Sequence, residues 1–280
     1  MAGPGTITIG GDLTVGRMGF GALHIAGSGS WGEPRDKRNA LALLRRVVER
    51  GVQLIDTADS YGPAISETMI AEALHPYPKD LVIATKGGLL RPNAGRWDPD
   101  CRPAHLRAAC AASLKRLKRE RIDLYQLHTV DPKVPLEESV GALAELQKQG
   151  KIRHIGLSNV DTGQLARARK VAAIVSVQNL YNLGDRSSDP VIDACAKDGL
   201  AFLPWYPLHG RGVVTSTPAL REIARRHKAN PAQIALAWLL ARSPVMLPIP
   251  GTSSIEHFEE NWTARDIALS DADLAAFARA

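Results

Sequence analysis

The chain has 280 residues, of which 45% are apolar, and it carries a formal net charge of +6. A barrel of roughly 250 residues folds as one domain, so we expect residues 1–280 to form a single domain with a substantial core. The absence of any run of about eighteen apolar residues excludes a transmembrane helix, and the first residues lack the features of a secretion signal.

The predicted strands are short. The first segment, Ile7–Val15, is predicted to be a β-hairpin, because Gly10 and Gly11 supply the positive φ angles of a tight turn. Eight brief and almost continuously apolar segments follow, which is typical of parallel strands covered by helices. These segments are Met18–Ala22, Gln53–Asp56, Leu81–Thr85, Ile122–Leu127, His154–Leu157, Ile174–Gln178, Ala201–Trp205 and Met246–Ile249.

Helical patterns fill the gaps between these strands. The first predicted helix, Asp36–Arg50, repeats apolar residues on one face and stops at Gly51. The other predicted helices are Pro103–Arg119, Leu136–Gln149, Gly163–Val171, Pro190–Lys197, Pro231–Arg242 and Ser270–Ala280. Strand–helix units that continue to eight without a break in composition predict an α/β fold, a (β/α)8 TIM barrel with an N-terminal β-hairpin.

Polar side chains follow almost every predicted strand, at the end where barrels of this kind carry their active sites. Among them, Asp56 and Tyr61 follow the second strand, Lys86 follows the third and His128 follows the fourth. The later strands are followed by Ser158 and Asn159, Gln178 and Asn179, Trp205 and Tyr206, and Gly251 to Ser254. We expect all of these residues to converge on one mouth of the barrel.

Four of these residues predict the reduction of a carbonyl group. Hydride transfer to a carbonyl leaves an alkoxide, which needs a proton, and Tyr61 can supply it if a nearby cation lowers its pKa. Lys86 can be that cation, Asp56 can neutralise Lys86, and His128 can hydrogen-bond the substrate oxygen.

Each of the four also has an ordinary structural explanation. An aspartate at the end of a strand is often a cap, and a single histidine is more often a satisfied core group than a catalyst. Four coincidences at matching strand ends are a poorer explanation than one site.

The sequence resembles the aldo-keto reductase superfamily across nearly its whole length. The segments that carry the resemblance are RMGFGALHIA, LIDTADSYG, VIATKGG, IDLYQLHTVD, IRHIGLSN, VSVQNLYN and IPGTSSIEHFEEN, in this order. The resemblance implies that Tyr61 is the proton donor, that Asp56 and Lys86 tune it, and that His128 orients the carbonyl. GEPRDKR, ARKVAAIVSVQN and IPGTSS resemble most closely a branch that includes bacterial pyridoxal reductases.

The resemblance also implies a coenzyme, NADPH, with NADH as the alternative. Ser158, Asn159 and Gln178 would hold the nicotinamide carboxamide, and Trp205 would stack on the nicotinamide ring. The residues assigned to the coenzyme are Gly21, Ala22, Leu23, Ser158, Asn159, Gln178, Trp205, Tyr206, Leu208, Pro250, Gly251, Thr252, Ser253, His257, Glu260 and Asn261.

The segment that follows the eighth strand departs from the pattern of this family. Related enzymes have Ile-Pro-Lys-Ser, then an arginine, then Glu-Asn, whereas here Gly251 and Thr252 follow Pro250, and His257 takes the place of the arginine. Thr252, Ser253, His257 and the backbone N–H groups ahead of a helix would replace the missing cations around a 2′-phosphate.

The substrate is expected to be a small-molecule carbonyl compound, such as pyridoxal or another small aromatic aldehyde. Trp31, Trp97 and Tyr206 lie in segments interpreted as loops that wall the pocket, and Trp97 belongs to the long segment Gly87–Arg102. The net positive charge suits an anionic substrate.

Three other interpretations fit parts of the sequence. Gly27–Gly32 reads as GxGxxG, but Pro34 and Arg35 separate it from the next helix, which is unlike a dinucleotide fingerprint. Lys86 could act as a Schiff-base nucleophile, as in barrel aldolases, although a carboxylate partner would oppose the low pKa that this chemistry requires. A coenzyme-sensing module of the same fold is the alternative outside enzymes.

The cysteines, the histidines and the basic stretch of the sequence argue against a disulfide framework, a metal site and a nucleic-acid partner. Cys101, Cys110 and Cys195 form no CxxC pair, which favours reduced thiols and a cytoplasmic location, and the eight histidines show no metal-ligand spacing. The basic stretch Lys115–Arg121 is interpreted as a solvated face of the preceding helix, so no nucleic-acid partner is expected. The sequence makes no prediction of the oligomeric state.

Overall fold

The structure is a computed structural model, and it describes residues 5–208 and 217–278. Its strands in chain order are β1 Thr6–Ile9, β2 Leu13–Gly16, β3 Phe20–Gly21, β4 Leu54–Asp56, β5 Val82–Gly87, β6 Leu89–Asn93, β7 Arg96–Pro99, β8 Ile122–Leu127, β9 Ile152–Ser158, β10 Ile174–Leu180 and β11 Ala201–Trp205. Its α-helices are α1 Lys37–Glu49, α2 Ile65–Leu74, α3 Pro103–Leu117, α4 Leu136–Lys148, α5 Thr162–Arg169, α6 Asp189–Asp198, α7 Pro218–Arg226, α8 Pro231–Arg242, α9 Ile255–Thr263 and α10 Asp271–Ala278.

Seven parallel strands form the central sheet, in the order β3, β4, β5, β8, β9, β10 and β11. The segment 246–250 closes the sheet between its two edges. On one side Leu247 N donates to the carbonyl of Phe202 at 2.8 Å, and on the other Gly19 N donates to the carbonyl of Pro248 at 2.9 Å. The predicted barrel is therefore confirmed.

The predicted eighth strand, Met246–Ile249, does not form a regular ladder. Only Met246 forms an isolated bridge, to Phe202 of β11. Pro248 and Pro250 have no backbone N–H, so this segment offers carbonyl groups to β3 but lacks the alternate donors of a full strand. The predicted first barrel strand, Met18–Ala22, is likewise shorter, because a 3-10 helix begins at Ala22.

The predicted N-terminal hairpin is present and covers the amino end of the barrel. β1 pairs with β2 in antiparallel register, and Ile9 and Val15 are fully buried against the first residues of the barrel strands, such as Leu54. Gly10 has φ 63°, and a Cβ there would lie 2.4 Å from the His154 ring, so this turn requires glycine. The hairpin thus leaves the carboxyl end of the barrel as its open mouth.

Four elements, two strands and two helices, were not predicted. The segment interpreted as a loop, Gly87–Arg102, contains the antiparallel pair β6 and β7, in which prolines and charged residues obscure any alternation of apolar residues. α2 was missed because its buried face includes polar residues, Ser66 and Glu67, which interrupt the apolar period. The amphipathic helix α7 was also missed.

The basic stretch Lys115–Arg121 is a solvated face only in part: Lys115, Lys118 and Arg121 are exposed, whereas Arg116 and Arg119 are half-buried. α3 ends at Leu117, and Lys118 has a left-handed φ of 51°. Arg116 turns inward, and its Nε lies 2.6 Å from Oε2 of Glu67, a carboxylate with no exposed surface. The guanidinium group therefore neutralises a buried acid.

The three cysteines are free and buried. Within residues 5–208 and 217–278, no helix is both long and apolar enough to cross a membrane.

Candidate active site

A cleft of about 1000 Å³ opens at the carboxyl ends of the barrel strands. Its lining residues include Gly21, Leu23, Asp56, Tyr61, Trp97, His128, Ser158, Asn159, Gln178, Trp205, Tyr206, Leu208, Pro250, Gly251, Thr252, Ser253, His257, Glu260 and Asn261. Most of the residues predicted from the strand ends therefore share one cleft, because parallel strands of a closed barrel end at the same rim. Asn179 does not line it; its side chain is buried and donates to the carbonyl of Val160.

Lys86 is the centre of the polar network on the barrel floor. Its Nζ donates to Asp56 Oδ2 at 2.6 Å, to the carbonyl of Thr57 at 2.8 Å and to Tyr61 Oη at 3.1 Å. The Lys86 side chain has no exposed surface, and its three N–H bonds have three acceptors. This arrangement fixes the ammonium group directly beside the phenol oxygen.

Two glutamines hold the other oxygen of Asp56. Gln126 Nε2 and Gln178 Nε2 donate to Asp56 Oδ1 at 3.1 and 2.8 Å. The side-chain amide of Gln178 thus faces Asp56, although the sequence led us to expect it at a coenzyme carboxamide. Gln126, near the end of β8, was not predicted as a site residue.

Burial changes the acidity of this group of residues. Burial lowers the pKa of Lys86, but the attraction of Asp56 and Tyr61 outweighs it, so its pKa is raised and the ammonium form is favoured. Burial raises the pKa of Tyr61 above its ordinary value, more than the Lys86 ammonium lowers it. The expectation of a lowered pKa at Tyr61 was therefore wrong, because it ignored the desolvation of the phenolate.

His128 faces Tyr61 across the cleft. Burial and the Lys86 ammonium hold the pKa of His128 well below its usual range, so the imidazole is neutral. Its Nδ1 lies 3.3 Å from the hydroxyl oxygen of Ser60. When that hydroxyl donates to Nδ1, the remaining proton is on Nε2, where it is available to a substrate oxygen.

Trp97 of β7 covers the Tyr61–His128 pair. Its ring centroid lies 6.5 Å from that of Tyr61 and 6.3 Å from that of His128, and both contacts are edge-to-face. The indole is 40% exposed, so it forms part of the wall that a bound molecule would meet.

The side chain of Asn159 links His128 to Trp205 through hydrogen bonds. Its Nδ2 donates to the carbonyl of His128 at 3.0 Å and to Ser158 Oγ at 3.1 Å, and its Oδ1 accepts from Trp205 Nε1 at 3.0 Å. Asn159 has φ 59°, a conformation that asparagine tolerates better than most residues. The Trp205 indole is thereby held at the rim by one edge.

Tyr206, next to Trp205, has an unusual backbone conformation. Its φ is 56°, which is rare for a bulky residue and stores strain that the surrounding structure must support. The side chain is 46% exposed, and its ring lies 6.2 Å from that of Trp205. Strain of this kind is common in segments that contact ligands.

The far end of the cleft is formed by the segment that precedes α9. Ser254 caps this helix by accepting a hydrogen bond from His257 N at 3.2 Å, and Ser254 N donates to Thr252 Oγ1 at 3.1 Å. Hydroxyls, an imidazole and a helix N-terminus therefore lie together, with Asn261 one turn further along the helix. Such a set of donors suits an anionic group.

Three predicted site residues do not line the cleft, and one of them, Lys86, lies below its surface with no exposed area. Ala22 is buried, and its carbonyl accepts a hydrogen bond from Ser66 Oγ, while Trp31 packs against Arg91 instead. The cleft also includes residues that sequence reasoning missed, namely His24, Leu89, Pro207, Ala232 and Ile249. No polar-residue signal identified them, because four of the five are apolar; His24 lies in a 3-10 helix ahead of the first α-helix.

Comparison with known proteins relates the whole chain to one group of enzymes. The model of the Aldo/keto reductase family matches residues 17–280. The chain is 47% identical over 266 residues to an uncharacterised oxidoreductase of Schizosaccharomyces pombe, covering 95% of this chain and 86% of the yeast protein. It is 45% identical over 272 residues to pyridoxine 4-dehydrogenase of Escherichia coli, covering 95% and 94% of the two chains.

A solved structure gives the same result. The aldo-keto reductase of Klebsiella pneumoniae, in complex with NADPH, superimposes with a TM-score of 0.83 at 28% sequence identity. The match covers 100% of this chain and 95% of that one.

Proposed function

The chain belongs to the aldo/keto reductase family and is an NAD(P)H-dependent oxidoreductase, and we propose that it reduces small aromatic aldehydes with NADPH, using Tyr61 as the proton donor. The observation that carries this proposal is the position of Lys86. Its ammonium group is bound to Asp56 and Tyr61 at once, at the base of a cleft that His128 shares.

Tyr61 gives up its proton as negative charge develops on the substrate oxygen. Its raised pKa keeps the phenol protonated at neutral pH, so the proton is in place before the reaction. As the proton leaves, the Lys86 ammonium stabilises the phenolate through the hydrogen bond already present, and Asp56 keeps Lys86 protonated and oriented. Lys86 therefore acts on the acid and not on the substrate.

His128 orients the carbonyl group. A neutral imidazole with its proton on Nε2 donates one hydrogen bond to the substrate oxygen without competing with Tyr61 as the acid. The Asn159 side chain bonds the backbone carbonyl of His128, and Ser60 bonds ring Nδ1, so the residue is held in place while Nε2 stays available to the substrate. Trp97 packs edge-to-face against both rings and forms the wall beside the reacting oxygen.

The cleft residues fit a nicotinamide dinucleotide. A bound nicotinamide coenzyme supplies the hydride for the reduction. Trp205 offers a flat aromatic surface near His128, Ser158 and Asn159 offer hydrogen-bonding groups beside it, and the start of α9 offers donors for a phosphate. The side chains at one end of the cleft therefore suit an aromatic ring with an amide, and those at the other end suit an anion.

We expect NADPH to bind more tightly than NADH, because Thr252, Ser253 and His257 line the far end of the cleft and carry donors that suit a 2′-phosphate. Replacing His257 by alanine should weaken NADPH binding roughly tenfold, the loss of one charge-assisted hydrogen bond, and leave NADH affinity unchanged. Titration of intrinsic tryptophan fluorescence with each coenzyme measures both constants. An equal loss for NADPH and NADH would mean that His257 does not contact the 2′-phosphate.

Replacing Trp205 by alanine should weaken NADPH binding by roughly 3- to 10-fold, because a stacking surface is lost. Binding of adenosine 2′,5′-bisphosphate, which has no nicotinamide, should be unaffected by this substitution. Isothermal titration calorimetry with both ligands makes the comparison. Equal losses for the two ligands would show that Trp205 supports the whole cleft rather than the nicotinamide.

The substrate class follows from the wall of the cleft and from the relatives. Trp97 and Leu89 give the space above Tyr61 an apolar, partly aromatic surface, which favours a flat ring next to the carbonyl. The Escherichia coli relative is named for a pyridoxine dehydrogenase activity, and the oxidised form of that substrate is an aromatic aldehyde. Pyridoxal and related small aromatic aldehydes are therefore our proposed substrates.

The test is the oxidation of NADPH and of NADH, followed at 340 nm, with pyridoxal, a nitrobenzaldehyde, a quinone and a ketosteroid. We expect turnover with the first two aldehydes and higher kcat/KM with NADPH. Tight NADPH binding without turnover of any carbonyl compound would favour a coenzyme-sensing module instead. Equal rates with the ketosteroid would contradict the assignment to small aromatic aldehydes.

A Schiff-base aldolase is the weaker proposal for this site. A nucleophilic lysine must be neutral, whereas Lys86 donates three hydrogen bonds and has a raised pKa. Borohydride in the presence of pyridoxal should therefore leave no adduct on Lys86, as mass spectrometry of the tryptic peptides would report.

A further inference from the structure

Arg91, on β6, is a buried cation that the proposed reaction does not use. The residue is 7% exposed, and its guanidinium carbon lies 3.7 Å from the centroid of the Trp97 ring and 5.5 Å from that of Trp31. Burying a guanidinium group is costly unless hydrogen bonds and aromatic faces compensate for lost water. The hydrogen bonds and aromatic contacts of Arg91 therefore identify the segments that its burial holds together.

The hydrogen bonds of Arg91 join two segments at the mouth of the barrel. Nη2 donates to the carbonyl of Ala94, in the β6–β7 turn, at 2.7 Å and to the carbonyl of Gly29 at 3.2 Å. Nη1 donates to the carbonyl of Ser30 at 3.4 Å. Gly29 and Ser30 both have positive φ, with values of 65° and 56°, and both of their carbonyl groups accept from the same guanidinium group.

The same carbonyl of Ser30 also binds the segment that carries Tyr61. Gly62 N donates to Ser30 O at 3.0 Å, and Gly32 N donates back to the carbonyl of Gly62 at 2.7 Å. The guanidinium group of Arg91 thus contacts Trp97 directly. Through the carbonyl of Ser30, which both bond, it is also connected to Gly62, the neighbour of Tyr61.

We propose that Arg91 is a positioning residue for substrate choice, which holds the Trp97 ring over Tyr61 and His128 so that flat aromatic carbonyl compounds are favoured. This inference rests on the proposed function. The planar guanidinium lies against the indole while it bonds three carbonyl groups of two turns, which a lysine ammonium lacks the geometry to do. A small aliphatic aldehyde needs Tyr61 and His128 but gains little from the indole surface.

The test compares Arg91→Met and Arg91→Lys with Arg96→Met, a control on the same hairpin. Arg96 is 66% exposed and pairs only with its neighbour Asp98 among the described residues. For Arg91→Met we expect kcat/KM with 4-nitrobenzaldehyde to fall roughly 10- to 100-fold, as misplacement of a positioning group does. With propionaldehyde we expect less than about a 3-fold change, and Arg91→Lys should fall between Arg91→Met and the wild type because it keeps only the charge.

A double mutant shows whether Arg91 acts through Trp97. Trp97→Ala should lose activity with the aromatic aldehyde, and adding Arg91→Met to it should cause no further loss. Additive losses, or equal losses with both aldehydes, would overturn the inference. Thermal unfolding of each variant shows whether a loss of activity is caused by misfolding. If Arg91→Met is misfolded, the two aldehydes are compared in Arg91→Lys instead.

The failure of this inference can be told from the failure of the proposed function. If the wild-type protein reduces neither aldehyde, the proposed function is wrong and Arg91 has no substrate to select. If the wild type reduces 4-nitrobenzaldehyde and Arg91→Met does so equally well, the function stands and the role of Arg91 is wrong.

Discussion

Replacing Tyr61 by phenylalanine should reduce kcat for carbonyl reduction by roughly 10²–10⁴-fold, the usual contribution of a positioned proton donor. The phenyl ring keeps the packing against Trp97 and His128, so the shape of the cleft is retained. What disappears is the hydroxyl that Lys86 bonds at 3.1 Å. Single-turnover measurements with NADPH and 4-nitrobenzaldehyde would isolate the chemical step.

Tyr77→Phe is the matched control for this substitution. The Tyr77 hydroxyl donates to the carbonyl of Leu117 at 2.8 Å, outside the cleft, so its removal should leave turnover unchanged. NADPH affinity should be the same in Tyr61→Phe as in the wild type. Loss of NADPH binding with Tyr61→Phe, or wild-type turnover, would mean that another group donates the proton.

The pH dependence of the wild type follows from the same contacts. Burial raises the pKa of Tyr61, so the acid form persists through neutral pH and reduction should slow only as the pH rises above about 10. The pKa of His128 is well below its usual range, so no change of rate is expected between about pH 6 and pH 8 from this residue. Alcohol oxidation, which needs the phenolate, should show the opposite trend at high pH.

The sequence was sufficient to predict that the four proposed catalytic residues lie together, because each one stands at or just after the end of a buried strand. In a closed parallel barrel, the position of a residue relative to the end of its strand determines where it lies in space. Asp56, Lys86 and His128 are therefore brought together by topology alone, without knowledge of any side-chain conformation. Tyr61 is five residues beyond Asp56 and still reaches Lys86, because the intervening turn folds back over the strand end.

The acidity of Tyr61 and the hydrogen-bond partners of Gln178 and Arg91 depend on burial and distance, which the residue types alone do not give. The direction of the Tyr61 pKa shift depends on whether burial outweighs a cation 3.1 Å away, and no spacing in the sequence reports burial at that scale. Gln178 lies at the predicted strand end. Its side chain is long enough for the amide to reach Asp56 across the barrel, which the residue type alone does not show. Arg91 contacts the carbonyl groups of Gly29 and Ser30, two residues of positive φ in a segment for which the sequence predicts no helix or strand.

Replacing Lys86 by methionine should abolish most turnover and destabilise the fold, and a second substitution separates the two effects. Lys86→Met leaves the Asp56 carboxylate, 2% exposed, without its cation. Removing one partner of a buried ion pair typically costs about 3–5 kcal/mol of unfolding free energy. Lys37→Met, in an exposed ion pair with Glu72, should cause a far smaller loss by chemical denaturation.

The double variant Lys86→Met/Asp56→Asn should recover most of the lost stability but none of the lost turnover. Asparagine keeps the side-chain oxygen that accepts from Gln126 and Gln178, and it removes the unpaired buried charge. It restores no cation beside Tyr61, so the developing phenolate stays unsupported. Recovery of turnover together with stability would mean that Lys86 serves the fold and not the proton transfer. Unfolding free energies and single-turnover rates, measured on the same preparations of the single and double variants, decide between these roles.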